Sequence, residues 1–153
     1  QKLNQRYTFW SLNLAKILTD KEQIDKIQHA TLMIFDHQDK LIFWMDPNGN
    51  QCKYSAWIDN LLSKYFDISQ YQYIPSNTWS YPNALQINYG EEFDEGNCAT
   101  WCLLFIAWML SKNLGPTETY QEIILINPIE RGFLIYRFNN NLYDLLKTQN
   151  FKK

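Results

Sequence analysis

The stretch from His29 to Gly49, HATLMIFDHQDKLIFWMDPNG, decides the fold. Ala30 to Phe35 (ATLMIF) is an apolar run of strand composition, and Lys40 to Met45 (KLIFWM) repeats it. Asp36-His37-Gln38-Asp39 lies between the two runs, short and polar, which predicts a β-hairpin. Asp46-Pro47-Asn48-Gly49 then stops the second strand, because proline brings no N–H to a ladder and glycine releases the backbone into a turn. Pairing around the Asp36–Asp39 turn brings the open ends of the hairpin together. His29 therefore stands beside Asp46, provided that the register does not slip by a residue.

Outward from the hairpin, the pattern alternates between strand and helix periods. Tyr7 to Leu14 (YTFWSLNL) sets Thr8, Trp10, Leu12 and Leu14 in alternation, as in a strand. Thr19 with Glu22 forms a capping-box pattern for a short helix over Asp20 to Ile27. Tyr54, Trp57, Ile58, Leu61, Leu62 and Tyr65 recur at helical spacing, predicting an amphipathic helix over Lys53 to Phe66. Gln70 to Ile74 alternates and is closed by Pro75, a further strand. Ser76 to Gly96 is rich in Asn, Pro, Ser and acidic residues and reads as loop. Asn97 to Lys112 is a strongly apolar helix ended by Asn113 and by Gly115-Pro116. Thr117 to about Leu146 reads as helical with an interruption near Pro128. The order predicts one α+β domain over residues 1–153: a small mixed sheet packed on a central helix, with flanking helices.

The 153 residues are 46% hydrophobic and 16% aromatic, enough to bury a core and far from a disordered composition. The formal charge is −2 and no run of lysine or arginine occurs, which argues against nucleic acid as a partner. Cys98 to Leu110 is too short to span a bilayer and reads as a buried helix, so no membrane is expected. Three cysteines without disulfide or zinc spacing fit a reducing compartment, and the expected location is cytoplasmic. The chain opens at Gln1 rather than at a methionine, so the lack of a signal peptide carries no conclusion.

Cys98 is the residue with the most chemistry available to it. It follows Gly96-Asn97 and opens the apolar helix, where the helix dipole lowers a thiol pKa. The same helix start offers backbone N–H groups free to hold an oxyanion. Cys52 and Cys102 read as ordinary small hydrophobes. Of the two histidines, His37 falls in the hairpin turn, a solvated polar position, whereas His29 immediately precedes an apolar strand. A carboxylate at Asp46 bonded to one ring nitrogen of His29 would fix its tautomer, as a thiol's general base requires.

His29-Ala-Thr-Leu-Met-Ile-Phe-Asp36, then Asp46-Pro-Asn-Gly49, then Gln86, then Gly96-Asn-Cys98-Ala-Thr-Trp101, resembles the adenain/SUMO-protease (clan CE) cysteine peptidases. That group reads His, Asp or Glu, Gln and Cys along the chain, with the cysteine opening a buried helix. The likeness is closer to the proteases of large DNA viruses, whose cysteine lies in a Gly-Tyr-Cys-x-x-Trp-like string matched here by Gly96, Cys98 and Trp101. It covers His29 to about Leu110. It implies a papain-like, adenain-like fold, with Cys98 as nucleophile, His29 as base, Asp46 as the orienter of that base and Gln86 as an oxyanion donor. No cofactor or metal is implied.

Two departures from the group stand out. Gln86 lies twelve positions before Cys98, further than in the cellular SUMO proteases, which leaves Asn88 or Asn97 as alternative donors. Ala30 follows the histidine where the SUMO proteases carry a tryptophan that roofs a Gly-Gly tunnel; Trp79 or Trp10 is a candidate substitute. The resemblance implies a protease that cuts after a Gly-Gly-like site, and a monomer is expected. Its substrate would be ubiquitin or a ubiquitin-like modifier; exposed aromatics from Tyr71 to Tyr81 are the candidates to grip it, with a core role as the alternative for several of them. The viral likeness implies instead a structural polyprotein, and a host cytoplasm or a virion as location. An acetyltransferase using acetyl-CoA and a modifier-binding module without hydrolysis are the rivals. Glu95-Gly-Asn-Cys98 also echoes the ovarian-tumour deubiquitinases, but those place a histidine after the cysteine, and this chain has none there.

Overall fold

The computed structural model describes residues 6–15, 28–49, 60, 64, 69–80, 84–86 and 97–150. Strands β1 (Tyr7–Ala15), β2 (Gln28–Asp36), β3 (Leu41–Met45) and β4 (Gln72–Ile74) form one sheet in that spatial order. β1–β2 and β2–β3 are antiparallel and β3–β4 is parallel, so the sheet is mixed. A single helical turn, Ser76–Trp79, follows β4. Helices α1 (Cys98–Lys112), α2 (Pro116–Leu125) and α3 (Pro128–Asn150) complete the α+β order, with α1 packed on the sheet.

The hairpin forms around the expected turn, with pairing from Asp36↔Leu41 to Leu32↔Met45. Asp36 organises that turn: its Oδ1 accepts the N–H groups of Gln38 (3.0 Å) and Asp39 (3.1 Å), a side-chain mimic of a backbone turn. Arg6 Nη2 reaches Asp36 Oδ2 at 2.8 Å and ties the start of β1 to the turn. His37 is not a solvated turn residue. Its Nε2 lies 2.8 Å from Thr8 Oγ1 and its Nδ1 2.7 Å from Tyr71 OH, so the half-buried ring links β1 to the approach of β4.

The two-residue period of the strands distributes side chains to opposite faces. Leu32, Ile34, Phe43 and Met45 face α1 and join Trp101, Cys102, Leu104, Phe105 and Met109 in the main core. Met33, Ile42 and Trp44 form a second buried cluster with Leu12, Phe35, Tyr71 and Tyr73. Each large apolar side chain in these clusters contributes about 1.5–3 kcal/mol by leaving water. α1 ends at Asn113, whose φ of 54° is the left-handed cap, and Leu114 N–H closes on Met109 O at 3.0 Å. Among the described residues no single helix is long and apolar enough to cross a membrane; α1 and α2 pass such a test only as a pair bent by 109°.

Two differences from expectation concern boundaries. β2 begins at Gln28, so His29 lies within the strand rather than before it. The segment read as loop from Ser76 opens instead with the helical turn Ser76–Trp79, in which Ser80 Oγ and N–H both donate to Ser76 O. Proline at position 75 suits the start of such a turn, and polar composition alone had masked it. The helix expected over Asp20 to Ile27 lies outside the described residues. Of the helix expected over Lys53 to Phe66, only Asn60 and Lys64 are described, and both are helical.

Candidate active site

β3 ends at Met45, opposite Leu32, while β2 continues towards Gln28. Backbone groups that face a given neighbour recur every second residue, so Ala30 is the next position whose N–H and C=O point to the edge that β3 no longer covers. The first turn of α1 fills that edge. Ala30 N–H donates to Cys98 Sγ at 3.2 Å, and Cys102 Sγ lies 3.8 Å from Ala30 O. One residue of the sheet thereby docks both cysteines of the helix.

His29 precedes Ala30 and is only 6% exposed. Its Nε2 lies 2.9 Å from Oδ1 of Asp46, a fully buried carboxylate. Asp46 is oriented in turn by Asn48 N–H, which reaches the same Oδ1 at 2.8 Å. The turn closes through Gly49 N–H on Asp46 O at 2.9 Å, with Gly49 at φ 56°. With Nε2 engaged by Asp46, the imidazole has Nδ1 left for the sulfur, and His29 lowers the pKa of the Cys98 thiol.

Electrostatics at the sulfur follow from these contacts. Burial pushes the Cys98 thiol up, but hydrogen bonds from His29 and the Ala30 N–H, the charge of His29 and the Ala99 N–H outweigh it. The thiol is left below its ordinary range. Cys102, one helical turn along, has burial without such partners and is pushed well above that range. The two cysteines of α1 are therefore chemically unlike. The first helical hydrogen bond runs from Trp101 N–H to Asn97 O at 2.8 Å, so the preceding N–H groups carry no helical acceptor. A thiol with a lowered pKa at this helix start, with a held imidazole nearby, has the parts that nucleophilic attack on a carbonyl requires.

The other expected site residues are placed as follows. Gln86 is half-buried, and its N–H donates to Pro47 O at 2.9 Å, which joins it to the turn that carries Asp46. Asn97 caps α1, and its Oδ1 accepts from Asn139 Nδ2 at 3.3 Å. The Trp79 ring meets Phe43, Phe105 and Tyr120 edge-on, and its Nε1 donates to Trp44 O at 3.1 Å. That packing sets the half-buried Trp79 against the main core. Trp10 is 44% exposed on β1 and packs on Phe35. Tyr71 and Tyr73 pack on the second cluster, whereas Tyr81, Asn88 and Cys52 lie outside the described residues.

Two neighbours of the site were not anticipated. Asn139 on α3 accepts from Thr100 Oγ1 at 3.0 Å as well as donating to Asn97, so one side chain bridges both flanks of Cys98. Arg131, also on α3, is 4% exposed and donates to the carbonyls of Ala84 and Leu85. A signal for Arg131 was present, since a cation stands four residues before the buried Ile135 on the apolar stripe of a helix. Among the described residues no group of three His, Cys, Asp or Glu side chains is arranged to hold a metal ion. No protein-family model, curated protein or solved structure matches this chain.

Proposed function

We propose that this protein is a cysteine protease of the adenain-like type, acting on peptide or isopeptide bonds after a Gly-Gly-like site of ubiquitin or a ubiquitin-like modifier. The observation that carries the reading is the Cys98 sulfur held on the Ala30 N–H at the start of a buried helix, one residue from the His29–Asp46 pair, with His29 lowering the thiol's pKa. In the reaction His29 takes the Cys98 proton, and the thiolate forms a C–S bond with the substrate carbonyl carbon. The carbonyl π pair moves onto oxygen, held by the α1 N-terminus and Gln86. Collapse of that oxyanion expels the amine, which leaves with the proton from His29, and water then hydrolyses the thioester. Asp46 keeps the ring oriented and steadies its positive charge.

The modifier is the more specific part of the proposal. Ubiquitin, SUMO and NEDD8 probes bearing C-terminal electrophiles test it, with Cys98→Ala as the control. A covalent adduct lost in the variant supports the assignment and names the modifier. Labelling of Cys98 by small alkylating reagents without any probe adduct moves the substrate to a polyprotein. A Cys98 inert to both refutes the catalytic reading and favours a binding module. An acetyltransferase would instead acetylate an acceptor protein from acetyl-CoA without cutting it.

A further inference from the structure

Arg131 is an unusual residue to bury, because a guanidinium cannot shed its charge and rarely leaves water. Here its Nη1 lies 3.0 Å from Ala84 O and 3.4 Å from Leu85 O. Those carbonyls belong to the two residues that immediately precede Gln86. Leu85 is 1% exposed and its side chain sits in the main core. On the far side, the Gln86 N–H is tied to Pro47 O, next to Asp46. Upstream, Tyr120 OH on α2 donates to Ser80 O at 2.6 Å. The 84–86 segment is therefore fastened from one side by α3 and from the other by the turn that orients His29.

We infer that Arg131 is a positioning residue for the oxyanion: by gripping the carbonyls of Ala84 and Leu85 it sets where the Gln86 side chain stands relative to Cys98. The inference rests on the protease reading and adds to it a residue on a helix outside the constellation. A side-chain donor is effective only where the oxyanion will develop, and a displacement of an ångström removes most of its value. Arg131 suits this task because its guanidinium keeps its charge when buried, and Nη1 alone carries two N–H groups, one for each of the adjacent carbonyls.

The test separates attack on a carbonyl from simple displacement. With p-nitrophenyl acetate the Cys98 thiolate adds to the ester carbon, an oxyanion forms, and p-nitrophenolate leaves. With iodoacetamide the thiolate displaces iodide at a CH₂ carbon and forms no oxyanion. In Arg131→Met acylation should fall about 10- to 100-fold, while alkylation keeps its rate and pH profile. Arg131→Lys should lie between it and the wild type, and decides the matter if the methionine variant does not fold. Because Arg131 acts through Gln86, the double variant with Gln86→Ala should be no slower than Gln86→Ala alone. Acylation at the wild-type rate in both Arg131 variants, or losses that multiply in the double variant, overturns the inference and leaves the protease reading intact. A wild-type Cys98 that iodoacetamide labels but the ester does not acylate overturns both.

Discussion

At Ala30 a single peptide unit faces two sulfurs with opposite fates. Its N–H donates to Cys98 and helps to stabilise a thiolate; its C=O faces Cys102, which stays a neutral thiol. A difference of four residues on one helix becomes a difference in reactivity because Cys98 has the influence of His29 and the N–H groups of Ala30 and Ala99, and Cys102 has not. The sign of the pH dependence follows. Lowering the thiol's pKa raises the thiolate fraction at neutral pH, so alkylation of Cys98 should show its inflection below that of a free thiol. Substituting His29→Ala removes the leading stabiliser and leaves the burial, so the inflection should move upward. Rates of iodoacetamide labelling across pH, read by mass spectrometry at Cys98 and Cys102 separately, measure both. An inflection indifferent to His29→Ala would mean that the imbalance between the sulfurs has another source.

At the scale of elements, the hairpin and its closing turn position the histidine and the carboxylate. Gly49 holds φ 56°, a conformation that costs an L side chain about 1–2 kcal/mol. Gly49→Ala should lower stability in urea by about that amount. It should also slow ester acylation, because the same turn aims Asp46. The hairpin was legible in the sequence because its apolar runs, its turn residues and Pro47 agree over a short span. Helix α1 was legible for the same reason: apolar composition between Asn97 and Asn113. The helical turn at Ser76–Trp79 was not, since a one-turn element has too few residues to show a period. The bonds of His37 to Thr8 and Tyr71 were equally hidden, because they depend on which strands become neighbours. The proximity of His29 and Asp46 followed from register; the bridges made by Asn139 and Arg131 follow only from the docking of α3.

Across the whole molecule, the sheet and α1 are joined by a core in which Phe105 is fully buried and contacts the Trp79 ring. Phe105→Ala should cost about 3–5 kcal/mol by combining lost burial with a cavity, which chemical denaturation would register. A loss under about 1 kcal/mol would mean that α1 is held to the sheet mainly by other contacts. α3 extends that frame to the site from the opposite direction, with Ile135 in the core and Arg131 and Asn139 turned to the segments around Gln86 and Cys98.

The pairing of Ala30 with Cys98 joins positions 68 residues apart. A growing polypeptide on the ribosome has already made His29 and Asp46 long before the helix that carries the sulfur can dock. Until it docks, Cys98 lacks the contacts that set it apart from any other thiol. Whatever reactivity the sulfur gains from Ala30 and His29 thus arises only once these distant parts of the chain have met.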